Sequence, residues 1–331
     1  MSRLSLLEAS LEAALETLTT LCRANTEYEE TFTGAFMGAI AASGNLLQQF
    51  GFESRCSPIW WGSYSKHRGP DTKLTESGSG ADFALCLLPA EGPARLIIFQ
   101  AKRATIPKKD AGGPANLYAD LHRLPENLED GTERDPQIFM LAETGRRLSA
   151  LSKLEPYVAR ESKDVLKALE ESGADLEAVS GLSDLSWIHY LIYTKDEPVC
   201  VPLSKLAEYY KKELGRSRSI TRYNLPGDST KTLPLLKGGL DPSHAGWLTI
   251  DADTVVNELP KLAPLMPVVV GDSNGTHGLL LQEKYCFSQV GMPSSIRTLA
   301  LRAEIRQLRK AAAANSPSAK PKPKGTETTP K

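Results

Sequence analysis

Two apolar runs joined by a short turn constrain this chain more than any other feature. Residues 81–88 (ADFALCLL) and 95–102 (RLIIFQAK) are each of strand length, and Pro89-Ala90-Glu91-Gly92-Pro93 between them is a turn-forming cluster, so the pair reads as a β-hairpin. Asp82 opens the first run, and Gln100 and Lys102 close the second. In a hairpin the start of one strand lies beside the end of the next. Residues two apart share a face, about 7 Å apart along the strand, so Gln100 and Lys102 project together while Ala101 points away. A carboxylate, an amide and an ammonium thus converge at one end of a buried hairpin. That arrangement costs desolvation free energy unless the groups are paired or bind a cation and a substrate.

The surrounding pattern alternates between helical and extended periods. Residues 3–21 place Leu4, Leu7, Leu11, Ala14, Leu15 and Leu18 at helical spacing. A second helix runs from about 26 to 50, with Phe32, Ala35, Phe36, Ala39, Ile40 and Leu47 on one stripe that Ser43 interrupts, and Gly51 stops it. Residues 56–64 form a further β-rich run, in which Trp60, Trp61 and Tyr64 read as sheet core or edge. Beyond the hairpin the pattern gives a short helix at 115–124, a strand at 137–142, mostly helix over 155–184, strands at 187–193 and 199–201, and a helix at 203–214. A Gly- and Pro-punctuated stretch, 225–244, precedes strands at 247–250 and 268–270, a helix at 253–262 and a last helix at about 294–314. The expected organisation is one domain over 1–225, a smaller C-terminal α+β extension over 226–312, and a disordered basic tail over 313–331.

Composition removes several classes of function. At 331 residues, 41% hydrophobic and 24% charged, the chain has the globular balance and length enough for a sizeable core. Its five cysteines are widely spaced without a CxxC pair, which fits reduced thiols better than a disulfide framework or a structural zinc site. The five histidines show no HExxH spacing, and there is no GxxxxGK[ST], GxSxG or convincing GxGxxG. Zinc hydrolases, P-loop NTPases, α/β-hydrolases and dinucleotide enzymes are disfavoured accordingly. The N-terminal stretch carries Glu8, Glu12 and Glu16 among its leucines, so it has no apolar run of signal or membrane-span length, and the expected location is the cytoplasm.

Asp82 followed by Gln100-Ala101-Lys102 resembles the PD-(D/E)xK nuclease superfamily, in the QxK variant similar to Mrr-type restriction endonucleases. Ala81 stands where that family's proline would precede the acid. The resemblance implies an α/β fold, a restriction-endonuclease-like αβββαβ core with a central mixed sheet flanked by helices. It also implies hydrolysis of phosphodiester bonds with Mg²⁺ or Mn²⁺ as cofactor, as in restriction or anti-phage defence. Asp82, Gln100 and an acid on the first core helix would serve as metal ligands, and Lys102 would act on the attacking water or the phosphate. For that acid, similarity to E-x-x-T helices favours Glu30, whereas at 100° per residue Glu29 lies nearer the apolar stripe, and both are carried. Glu76 is either a further site carboxylate or an exposed turn residue.

A formal charge of -1 leaves no global field to attract a polyanion, so nucleic-acid contact must come from local patches. Lys66, Arg68 and Arg103 fall in one basic stretch, Lys211 and Lys212 in a second, and Arg302, Arg306, Arg309 and Lys310 in a third. The expected partner is nucleic acid, DNA ahead of RNA, with no membrane. A homodimer, or a partner protein held through the C-terminal extension, is the expected assembly. The rival reading is a non-catalytic nucleic-acid-binding or assembly module with a nuclease-like fold.

Overall fold

A computed structural model describes residues 6–24, 28–49, 59–62, 79–89, 91–105, 117–121, 135–171, 176–215, 222–262, 266–273, 276–284 and 287–289. Helices α1 (Leu6–Ala24) and α2 (Glu29–Gln49) pack on one another through Leu11, Leu15, Leu18, Phe36 and Ile40. Each such side chain contributes about 1.5–3 kcal/mol by leaving water. Ser43, the polar break in the α2 stripe, donates its hydroxyl to the Ser10 carbonyl at 3.1 Å and so satisfies itself at the helix pair.

The expected hairpin is formed by β2 (Phe83–Leu88) and β3 (Ala94–Thr105), antiparallel with Phe83 opposite Phe99. The two sides of this pair feed different cores. Phe83, Leu85, Leu87, Ile97, Phe99 and Ala101 face α1 and α2, whereas Ala84, Cys86, Leu88, Leu96 and Ile98 join Ile138, Phe139 and Leu141. The latter three lie on α3 (Gln137–Ser152). The chain then crosses over through α3, α4 (Ser162–Glu171) and α5 (Leu176–Ser180) to a strand running parallel to β3.

Among the described residues the sheet has eleven strands. In chain order the remaining ones are β1 (Ile59–Gly62), β4 (Tyr118–Asp120), β5 (Ile188–Tyr193), β6 (Val199–Pro202), β7 (Arg222–Asn224), β8 (Thr230–Lys231), β9 (Leu248–Ile250), β10 (Val268–Asp272) and β11 (Phe287–Gln289). Their order is β11-β1-β10-β2-β3-β5-β6-β8, with β4 and β9 on β3 and β7 on β4. Among the described residues, only β10–β2 and β3–β5 are parallel pairs. The molecule is therefore a mixed α/β fold with a mostly antiparallel open sheet flanked by helices. Trp60, on β1, is fully buried. None of the described helices is long and apolar enough to cross a membrane.

Several expectations are revised. Residues 137–142 are helical, because Ile138, Phe139, Leu141, Ala142, Gly145 and Leu148 recur with a helical period, and that outweighs the short apolar run. Tyr118–Asp120 is a strand where a helix was expected, since the end of β3 at Ala104 and Thr105 offers it an edge to pair with. The strand β10 stands between β1 and β2, so the three β-rich runs after α2 are not immediate neighbours. Residues expected in a separate extension supply β8, β9, β10 and β11 to this same sheet, together with α7 (Thr232–Lys237), α8 (Ala252–Leu262) and α9 (Thr276–Lys284). The expected helix at 294–314 and the tail lie outside the described residues.

Candidate functional site

Where β2 ends, β3 continues, and the site is built on that difference in length. The backbone N–H of Ala101, two residues past the last β2 pairing at Phe99, donates to Asp82 Oδ2 at 2.7 Å. Asp82 itself sits in the bend that leads into β2, its N–H donating to the Phe99 carbonyl at 2.9 Å. The Gln100 amide donates Nε2 to the same Asp82 oxygen at 2.6 Å and to the Ala101 carbonyl at 3.1 Å. Two residues on, Lys102 Nζ lies 3.6 Å from Glu29 Oε1, with the two side chains 12% and 30% exposed. Asp82, Gln100, Lys102 and Glu29 therefore gather at one end of the β2–β3 pair. Gln100 forms a buried wall, and Asp82, Lys102 and Glu29 reach toward solvent.

The first turn of α2 is tied to this strand end. Thr33 bonds the Glu29 carbonyl at 2.9 Å and shares a 2.7 Å bond with the Tyr193 hydroxyl at the end of β5. Burial holds the Tyr193 phenol well above its usual range, so it stays protonated and can donate. This tether aims Glu29 at Lys102. Glu30 is exposed, whereas Glu29, the acid that the helical wheel puts nearer the apolar stripe, is the one beside Lys102.

Behind Gln100 stands a residue that the sequence did not mark. Gln137 opens α3 after Pro136 and donates Nε2 to Gln100 Oε1 at 3.0 Å. The helix approaches this closely because residue 80 is glycine. Gly80 has φ +71°, and a Cβ there would stand 2.5 Å from the Gln137 carbonyl oxygen and 2.8 Å from the Leu141 nitrogen. Thr144 also bonds the Ser79 carbonyl at 3.1 Å. The available signal was Pro136 preceding a helical apolar period, the usual opening of a helix. Tyr190, the cross-strand neighbour of Gln100 on β5, has a buried hydroxyl without a partner among the described residues.

The other expected site residues divide. Arg103 lies exposed on β3, next to Lys102. Lys211 and Lys212 occupy the last turn of α6 (Ala207–Leu214), which packs on α3 through Tyr210 against Phe139, and the Lys212 ammonium lies 5.6 Å from the Tyr209 ring centre. Lys66, Arg68 and Glu76 lie outside the described residues.

No cluster of three His, Cys, Asp or Glu side chains suited to a metal ion occurs among the described residues. The donor set at this strand end is one carboxylate, one amide and one backbone carbonyl, all oxygen donors. That suits a hard divalent cation which keeps several waters, provided Gln100 turns its oxygen toward Asp82. Gln137 Oε1 is buried without a partner among the described residues and could accept the Gln100 N–H in that case, so the residues present fit such a cation. In comparisons with known proteins, no family model, curated protein or solved structure matches the chain.

Proposed function

We propose that this chain is a metal-dependent endonuclease of the PD-(D/E)xK kind, in its QxK form, cutting phosphodiester bonds in DNA with Mg²⁺ or Mn²⁺. The observation that carries the reading is the joining of Asp82 to Gln100 and to the Ala101 N–H, with Lys102 two residues on and paired to a helix acid. The order of elements adds support. The helix α2, the antiparallel pair β2–β3, the helix α3 and the parallel strand β5 follow one another as in the core of that superfamily, although β10 is interposed between β1 and β2.

A divalent cation at Asp82 would supply Lewis acidity, polarising the phosphate and acidifying a water. The chain's own groups do the rest. Asp82 offers the charge that binds, its position fixed by the Ala101 N–H. Lys102, pre-set against Glu29 at 3.6 Å, exchanges that carboxylate for a phosphate oxygen and stabilises the charge that grows there in the transition state. Glu29, no longer paired to Lys102, then accepts a proton from water. With Gln100 in place of an acid the site holds one negative charge fewer, which favours weak metal affinity and one-metal chemistry.

The non-catalytic reading draws on a specific observation as well. Asp82 Oδ2 already accepts two N–H groups and Lys102 already has Glu29, so these polar groups satisfy one another without any ligand. Purified protein incubated with supercoiled plasmid, linear duplex, single strands and RNA, in Mg²⁺, Mn²⁺ or EDTA, separates the two. Divalent-dependent cleavage supports the enzyme, and binding without cleavage supports the module.

A further inference from the structure

The amides of Gln100 and Gln137 form a chain whose ends have opposite needs. At one end Gln100 presents N–H to Asp82 at 2.6 Å, an arrangement that suits a carboxylate with no cation on it and repels a cation placed there. At the other end Gln137 Oε1 is buried, with the residue only 9% exposed, and lacks a partner among the described residues. A buried amide oxygen left without a donor is destabilising, because nothing offsets its loss of water. Turning both amides over about their terminal torsions reverses the chain. Gln137 Oε1 then accepts from Gln100 Nε2, and Gln100 Oε1 faces the Asp82 carboxylate. Two oxygens at hydrogen-bond distance repel unless a cation lies between them.

We propose that Gln137 is a positioning residue, which with Gln100 makes a two-amide relay that reverses when a divalent cation binds at Asp82. The inference rests on the proposed nuclease reading, since it needs a cation there. With no cation, the Asp82–Gln100 bond holds the present direction, and the Gln137 oxygen is left unpaired. With a cation, coordination replaces the lost Asp82–Gln100 bond, and Gln137 passes from donating to Gln100 to accepting from it, so the one hydrogen bond between the two amides is kept with its direction reversed. The relay explains how an amide can occupy the place of an acid. A glutamate offers oxygen whichever way it turns, whereas a glutamine needs a second group to hold its N–H away from the metal, and Gln137 sits where that group must be. Gly80 is the reason it fits there, because the close approach of α3 to the 79–82 turn brings Gln137 against Gln100.

The test is amide NMR of the full chain labelled with ¹⁵N in glutamine side chains, titrated with MgCl₂ and, as a control, with NaCl at matched ionic strength. The Gln100 and Gln137 resonances are assigned by their loss in Gln100→Met and Gln137→Met. Both side-chain NH₂ pairs should move with a single Mg²⁺ midpoint and stay still in NaCl. In Gln100→Glu, where residue 100 accepts in every state, Mg²⁺ should bind at least about tenfold more tightly and the Gln137 response should disappear. That variant retains the shape of the native side chain, so it serves if a methionine variant does not fold. If Gln100 moves with Mg²⁺ and Gln137 does not, the relay is wrong while the nuclease reading stands. If neither responds to Mg²⁺ and no DNA is cut, both fall.

Discussion

Replacing Gly80 with alanine tests whether the approach of α3 to the Asp82 turn is as close as the site requires. The new methyl would meet backbone, 2.5 Å from the Gln137 oxygen and 2.8 Å from the Leu141 nitrogen, so it cannot be relieved by a rotamer change. Holding a non-glycine residue at φ +71° costs about 1–2 kcal/mol. Displacing a packed helix adds about 1–3 kcal/mol, as in other overpacked sites. The expected loss is thus about 2–5 kcal/mol. Gly92, in the β2–β3 turn, is the internal control. Its φ is +94° with nothing within 4 Å of a Cβ, so Gly92→Ala should lose only the conformational part, about 1–2 kcal/mol. Urea unfolding of both variants, compared at equal m-value, gives the two losses. If Gly80→Ala were no more destabilised than Gly92→Ala, α3 would not press on that turn, and the geometry around Gln137 would need revision.

Three further outcomes follow from the packing and charges. His189 is buried, which lowers its pKa to about 4, while the Gly246 carbonyl on Nε2 works the other way. The unfolded chain, with a histidine near 6.5, binds more protons, so stability falls as pH drops from about 6.5 to about 4, by on the order of 3 kcal/mol, and His189→Gln should flatten that part of a melting-temperature profile. Burial pushes the Glu143 carboxyl up, but Arg160 and Arg146 more than offset it and hold it below its usual value, and Glu143→Ala should cost about 1–3 kcal/mol in urea unfolding by removing the acceptor of these two partly exposed guanidinium groups. Lys102→Ala should slow cleavage about a hundredfold or more while DNA still shifts in a gel with nearly the native salt slope, whereas changing Lys211 and Lys212 together to alanine should weaken binding and spare the rate at saturating DNA.

The hairpin, and the meeting of Asp82 with Gln100, could be read from the sequence because both depend on local matters: strand length, a Pro/Gly turn and alternation. Helix α2, and the turning of Glu29 rather than Glu30 toward Lys102, were legible through the wheel, which reports the same periodicity that packing obeys. What was not legible depends on distant parts of the chain. Nothing near Trp60 or Cys86 says that Val268–Asp272, some 200 residues away, will lie between their strands. Tyr118–Asp120 has a helical neighbourhood in sequence and takes extended form because β3 overhangs to meet it. Gln137 escaped notice because a polar residue at the head of an apolar run looks like a boundary, and only the fold shows that it abuts Gln100.

The central claim, that Asp82, Gln100 and Lys102 form a working phosphodiesterase site, is tested most directly by nicking of supercoiled plasmid by the native chain and by Asp82→Ala, each with Mg²⁺ and with EDTA. Nicked and linear product is expected from the native chain in Mg²⁺ alone, and none from a folded Asp82→Ala at the same concentration. Equal cleavage by the two proteins, or cleavage that persists in EDTA, would contradict it.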